Sequence, residues 1–258
     1  NPLVPPEPYD KYSREYKQHH GHWTRVWETL KSDLAEYTDE TLSRESLNDD
    51  YQQLFVAMVL DHVAHIFECF HADMQPKPMR LLLLGTAGSG KTRAVQTVLQ
   101  EIQRALKAAD LPADIDPQSF VRVAAPTGSA AFQIRFNATT IHRLIHWFRP
   151  PYFAELTNDE ALAFLQKHLR KTELIVLDEI SMVGRQMMGR IDSRMEQAKV
   201  GLNPAEETLG GASCVAVGDP AQCEAIMDQQ IYDVVTVSYT HLRAHETRED
   251  RGWGGGGV

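Results

Sequence analysis

The sequence predicts an α/β protein, a mostly parallel sheet with helices on both faces, preceded by a small helical segment. Three observations carry this expectation. Short aliphatic runs alternate with longer stretches of helical apolar spacing, the pattern of strands joined by crossover helices. The chain has 258 residues, 43% hydrophobic and 24% charged, which suits one large α/β domain with a small appendage and excludes a wholly disordered chain. No internal repeat suggests a solenoid or array.

Residues 1–46 read as an irregular and helical lead-in. Asn1 to Gly21 is rich in Pro, Tyr, His and charge. Trp23, Val26, Trp27, Leu30 and Leu34 then share one helical face, a spacing that favours packing over base stacking by the two tryptophans. A second helix is expected from the N-cap Asn48 through Tyr51, Leu54, Phe55 and Met58 towards Phe70, stopped by Gln75-Pro-Lys-Pro78. Met79 to Leu84 predicts a strand buried on both faces. Thr92 to Ala109 has helical spacing, and Phe120–Ala125, Glu173–Leu177 and Ser213–Val217 are further strands. Thr157 and Glu160 form a capping box for a helix ending near Arg170. Met188, Ile191 and Met195 line another helix, ended by Gly201. From Ser238 the apolar periodicity is lost and the text ends in four glycines, resembling translated adaptor sequence. Residues 238–258 are therefore expected to be a non-native tail, leaving 47–237 as the main domain.

Charge and cysteine content narrow the function. Lys plus Arg number 26 against 35 Asp plus Glu, a net charge of −9, which argues against coating nucleic acid through bulk charge. Arg135, Arg143 and Arg149 still give the middle segment local positive charge. The longest uninterrupted aliphatic run is Leu81–Leu84, far below the ~20 residues of a membrane span, so no membrane partner is expected. Cys69, Cys214 and Cys223 form no C-x-x-C pair, indicating neither a disulfide framework nor a zinc ribbon and pointing to an intracellular protein. His62, His65 and Cys69 share a helical face that could ligate zinc, but without a fourth ligand they read as packed helix residues.

The chemistry concentrates in three segments. Gly85-Thr86-Ala87-Gly88-Ser89-Gly90-Lys91-Thr92 matches the phosphate-binding loop pattern without a gap, with a strand entering it and a helix leaving. Its glycines let successive N–H groups turn inward at a positive helix end. Lys91 would reach the β- and γ-phosphates of a nucleotide, and Thr92 would hold Mg²⁺. Leu174 to Leu177 delivers Asp178 and Glu179 at a strand's C-terminal end, where open α/β sheets bind ligands. Asp178 is placed for the Mg²⁺ shell and Glu179 to polarise an attacking water. Gly218-Asp-Pro-Ala-Gln222 follows another strand, and Gln222 could sense the γ-phosphate; an Asp-Pro turn with no such role remains the alternative.

Together these blocks resemble a known family. Ala125-Pro-Thr-Gly-Ser-Ala-Ala131 followed by Thr140-Ile-His142, then Asp178-Glu-Ile-Ser-Met182, then Gly210-Gly211 and Gly218 to Gln222, is similar to the first motor half of PIF-one-type DNA helicases of superfamily one. The resemblance covers about Leu47 to Tyr232. It implies a RecA-like ATPase domain using ATP and Mg²⁺ to move 5′-to-3′ on single-stranded or forked DNA. It also implies a nuclear or mitochondrial setting in DNA repair, recombination or telomere maintenance. By the same resemblance Lys91 and Thr92 bind phosphate and Mg²⁺, Asp178 the metal, Glu179 is the catalytic base and Gln222 couples. Thr127, Ser129, Thr140 and His142 would touch DNA; helix capping by Thr127 and packing by His142 are the alternatives. The sequence departs from the family in three places. Tyr51 stands where the adenine-reading Gln is expected, with Gln52 beside it. Cys223-Glu-Ala225 replaces Leu-Pro-Pro. A second RecA-like half does not follow, so weak turnover and no unwinding are expected of this chain alone. An inert nucleotide-binding remnant of a mobile-element helicase, or another P-loop ATPase such as an AAA-type remodelling machine, are the competing readings.

Overall fold

The computed structural model describes residue 28 and residues 50–72, 74–108, 117–148, 152–202, 207–226 and 228–231. The helix expected around Trp23 and Trp27, together with Asn48, Arg149 and the tail at 238–258, lies outside these residues. Helix α1 (Asp50–His71) precedes β1 (Arg80–Leu84) and α2 (Lys91–Ala108). β2 (Val121–Ala125), α3 (Gly128–Ile134), β3 (Thr139–Thr140) and α4 (Ile141–Leu144) follow. Then come α5 (Asp159–Leu169), β4 (Leu174–Leu177), α6 (Arg185–Ala198) and β5 (Ser213–Gly218). All pairings in the five-stranded sheet are parallel, in the order β1-β5-β4-β2-β3. The expected α/β class is what forms.

The alternation of side chains along each strand explains the two layers. Leu174 and Val176 of β4, with Val215 and Val217 of β5, join one buried cluster with α1 and α2. Their neighbours Ile175, Leu177 and Cys214 point into a second cluster with α4, α5 and α6. A strand covered on both faces has no polar side to show, hence the unbroken Leu-Ile-Val-Leu of β4, all four residues buried. Each large aliphatic side chain so buried contributes roughly 1.5–3 kcal/mol.

Three expectations need correction. β1 is an edge strand, not a strand buried on both faces. Leu81 and Leu83 pack against the α1–α2 layer, whereas Leu82 and Leu84 remain 46% and 45% exposed. A run of leucines does not reveal a strand's place in the sheet, because the strand order is fixed by pairing partners far along the chain. The cap of α5 is Asn158, not Thr157: its Oδ1 accepts from Glu160 N at 2.8 Å and Ala161 N at 3.2 Å. Finally, the Tyr51–Phe70 stretch, mean hydropathy 1.3, is long and apolar enough by length and composition to cross a membrane. The aliphatic run Leu81–Leu84 was too narrow a test. Here Phe55, Val59, Leu60, Val63, Ile66 and Phe67 bury that helix against α2 and the sheet, making it a core helix.

Of the residues weighed for zinc, Cys69 is buried and His62 partly buried, whereas His65 is exposed. His62 Nε2 lies 2.7 Å from Ser213 Oγ, which also accepts from Met79 N at 3.0 Å, so one hydroxyl ties α1 to the start of β5 and to β1's approach. Burial lowers the His62 pKa to about 4 and keeps the ring neutral. His65 instead contacts Glu68 and Cys69. No cluster of three or more metal-ligating side chains occurs among the described residues.

Candidate functional site

The strand order brings the three chemical segments together. β5 lies between β1 and β4, so the loop after Leu84, the Gly218 turn and the Asp178–Glu179 turn are consecutive strand ends at one sheet edge. Adjacent strands are about 4.8 Å apart, which puts the outer two of these ends about 10 Å from each other. Gly85 N donates to Gly218 O at 3.2 Å, tying the first loop to the third segment.

The glycine loop runs from Gly85 to the start of α2 at Lys91, with Thr86, Ala87, Gly88 and Ser89 exposed. Gly88 and Gly90 have φ of +78° and +81°, the left-handed region that turns N–H groups inward. A Cβ at Gly90 would displace the Gln52 amide that lies against it. Gln52, the residue considered for reading a base, donates from Nε2 to Ser89 O at 2.8 Å and so fastens α1 to the loop backbone. Tyr51 beside it is exposed. Lys91 Nζ donates to Gly85 O at 2.6 Å and Thr86 O at 2.9 Å, folding its cation back over the loop. Thr92 follows in the first turn of α2, half-buried.

Asp178 is buried at the end of β4 and its N–H donates to Ala124 O. Burial raises its carboxyl pKa to about 6, against the lowering pull of the Glu179 N–H and of the nearby Lys91 cation. Glu179 has φ +52° and ψ +48°, a left-handed conformation costly for a side chain with a Cβ, and its carboxylate makes no cap bond to the short 3-10 turn Ile180–Met182 that it opens. It is half-buried. Gly218 must be glycine because that turn passes over it: a Cβ would sit 2.8 Å from Ile180 Cγ2 and 3.0 Å from Ile180 N. Asp219 accepts from Ala221 N at 3.0 Å and from Gln222 Nε2 at 3.3 Å, so the Asp-Pro turn forms and also holds the Gln222 amide.

The residues considered for DNA lie on the next strand ends, beyond β4. Thr127 caps α3, accepting from Ala130 N at 3.2 Å, and its hydroxyl lies 3.1 Å from Ser129 Oγ. Thr140 caps α4, accepting from Arg143 N. His142 stacks on Trp147 with ring centroids 4.8 Å apart, and Arg190 covers that indole at 4.3 Å. The capping and packing alternatives are therefore the contacts these residues make. Together they line the β2 and β3 end of the same sheet edge that carries Asp178.

One site-adjacent residue is not legible in the sequence. α6 begins at Gly184, which has no side chain to cap it. Asp228, far along the chain, accepts from Gln186 N at 3.0 Å and Met187 N at 3.2 Å. Arg185 completes the clasp by donating to Gln229 and Gln230 carbonyls. The segment after Gln222 is thus pinned to the segment after Glu179. The missing cap at Gly184 was the only signal that an outside acceptor was needed.

The sequence model of a family described as an AAA domain matches residues 74–246. No curated protein matches the chain. Among solved structures, the Pif1 helicase from Bacteroides in complex with ADP-AlF3 and ssDNA is similar at 23% identity and a TM-score of 0.46, over 70% of this chain and 34% of that one. The Pif1 helicase from Candida albicans is similar at 20% identity and a TM-score of 0.49, over 70% and 34%. A structure of unliganded Pif1 from Bacteroides gives 24% identity and a TM-score of 0.47, over 71% and 34%. The chain spans about a third of the length of the solved chains it matches.

Proposed function

We propose, from the premise that this chain belongs to the AAA-domain family, that it is the first motor half of an ATP-dependent DNA helicase. The observation that carries the reading is the convergence of Lys91, Asp178, Glu179 and Gln222 on three neighbouring strand ends. AAA membership alone also suits a remodelling ATPase. The Thr140–His142 segment on the same sheet edge, and the Gln222 amide held by Asp219, favour the helicase.

The residues present fit a metal-bound nucleoside triphosphate. Lys91 already lies across the loop on two carbonyls, so a triphosphate seated there meets its ammonium and the inward N–H groups of Gly85–Thr92. Asp178 is a buried carboxyl with a raised pKa, an arrangement that a cation at its oxygens would relieve; Thr92 would share that cation. Bound Mg²⁺ would supply charge neutralisation at the β- and γ-phosphates. Glu179, free of a capping bond, would accept a proton from the water aligned with the γ-phosphate. Gln222 would report the phosphate state, and the Asp228 clasp would carry that report into α6. Thr127, Ser129, Thr140 and His142 would follow the backbone of single-stranded or forked DNA, moving 5′-to-3′ with a second RecA-like half. By the same resemblance we propose an intracellular setting, in the nucleus or mitochondrion.

In related phosphoryl-transfer enzymes an arginine from a facing element is worth ~10³-fold or more in rate. The 258-residue chain is therefore expected to bind Mg-ATP in titration calorimetry, to hydrolyse it poorly and not to unwind a forked duplex. Unwinding by the chain alone would overturn the two-half mechanism. Absence of Mg-ATP binding, in a chain shown to be folded by circular dichroism, would overturn the nucleotide site.

A further inference from the structure

A cleft of about 1260 Å³ opens beside the sheet, away from the phosphate loop. Its floor exists because β3 pairs with β2 only at Ala124 and Ala125, which leaves that edge of Val121–Val123 without a strand neighbour among the described residues. One wall is a cluster of four rings, with His146 edge-on to both Phe148 and Phe164. Phe164 and His168 lie 4.1 Å apart and tilted by 32°, His146 meets Phe164 at 4.6 Å, and Phe148 meets His146 at 5.6 Å. Phe148 and Phe164 are 68% and 49% exposed, so this cluster offers bare ring surface to whatever enters.

The cluster includes a strained turn. His146 has φ +53°, in the left-handed region where a side chain with a Cβ is disfavoured, and it sits between α4 and Trp147, whose ring stacks on His142 of that helix. Burial, with His168 and Arg194 nearby, pulls the His146 pKa down and favours the neutral ring. A neutral imidazole stacks as an aromatic ring and imposes no charge on its guest.

We propose that this cleft receives an unstacked nucleobase of the single strand that passes over Thr127–His142. The inference rests on the reading of this chain as a DNA motor. Thr139 and Arg143 line the cleft and flank Thr140 and His142 in the chain, so a strand following those residues reaches the cleft without a break. Arg143 is exposed and can take the phosphate next to the inserted base. Gln103 and Glu160, also lining it, can hydrogen-bond a base edge. Exposed Phe148 and Phe164 ring surface, near amide and carboxylate groups, suits a planar heteroaromatic guest better than an aliphatic side chain, and it tolerates any base because every base has a π-face.

The test compares fluorescein-labelled dT12 with an abasic 12-mer of equal charge, by anisotropy, on the full 258-residue chain. Base–aromatic stacking predicts that wild type binds dT12 at least about fivefold more tightly than the abasic strand. Phe164→Ala and Phe148→Ala should each reduce that ratio towards one while leaving abasic binding unchanged. Phe164→Trp should keep it. Both residues are exposed, so their truncation leaves Leu165 and Leu169 to hold α5 in place. Equal wild-type binding of the two strands, or equal loss of both in the variants, would overturn the cleft and leave the DNA reading standing. Binding of neither strand by wild type would overturn the DNA reading and the cleft with it.

Discussion

The strand ends that carry Lys91, Asp178 and Gln222 differ from the β3 flank in how they are built. The first is assembled from three short continuous segments, each a strand end and the few residues after it. Its polar contacts are mostly with backbone: Lys91 on two carbonyls, Gln52 on a third, Gly85 N on Gly218 O. The second is assembled from rings on α4, α5 and the turn between them, with arginines of α6 laid over the neighbouring Trp147 and Phe153. Phosphate recognition needs N–H groups in fixed succession, which only a contiguous loop supplies, so its residues must be neighbours in sequence. A ring-lined cleft needs only surfaces that meet after folding, and its residues can come from anywhere.

The sharpest way to separate the two regions is Glu179→Gln. In a protein that includes a second motor half, hydrolysis should fall by about 10²- to 10⁴-fold, the worth of a positioned base. Mg-ATP affinity and the preference for dT12 over abasic DNA should both be unchanged. Single-turnover hydrolysis beside equilibrium titration makes the measurement, and an unaltered rate would remove Glu179 from the role of base. Gln222→Ala comes next. Its amide is held by Asp219 and can respond to the phosphate, so DNA-stimulated turnover should fall several-fold more than basal turnover. Equal loss of both would make Gln222 a structural part of the turn.

Asp228→Ala acts on the join between the regions. It removes the cap of α6, whose Arg190 lies over Trp147, the partner of His142. Loss of an N-cap costs about 1 kcal/mol, a Tm decrease of a few degrees for a domain of this size, readable by calorimetry. If the clasp also couples the regions, ATP should cease to alter DNA affinity in this variant; a lowered Tm with that response intact would confine Asp228 to stability.

The two regions were unequally legible in the sequence for the same physical reason. The phosphate loop, the acidic strand end and all four longer strands follow local pattern. So does the α/β class, because a parallel sheet forces strand and helix to alternate along the chain. The edge position of β1 did not follow, since Leu82 and Leu84 look the same whether or not something covers them. Nor did the two-residue β3, too short to show a period. The Asp228 cap links residues 41 and 42 positions apart, and the His62–Ser213 bond spans 151 positions, separations at which no local spacing rule operates. Capping by Thr127 is an alternative the sequence already offers, and α3 bears the cap; the Thr140 cap becomes visible only with the short helix α4 in place.

The smallest effect tests the long-range contact that holds neither region's chemistry. His62 has a pKa lowered to about 4 by burial, against 6.5 in its ordinary state. As pH falls through 6.5 the unfolded chain takes up a proton that the folded chain refuses until near 4. This contribution to stability is therefore complete above pH 6.5, is lost progressively from 6.5 down to about 4 and stays level below that. His62→Gln removes the titration and can keep a hydrogen bond to Ser213. Its Tm should match wild type within a few degrees at pH 8 and should fall less steeply between pH 6.5 and 4. Parallel Tm–pH curves would mean that another group controls acid stability. A shallower curve in the variant would show that the neutral His62 imidazole, bonded to Ser213 at the start of β5, carries part of the domain's acid sensitivity.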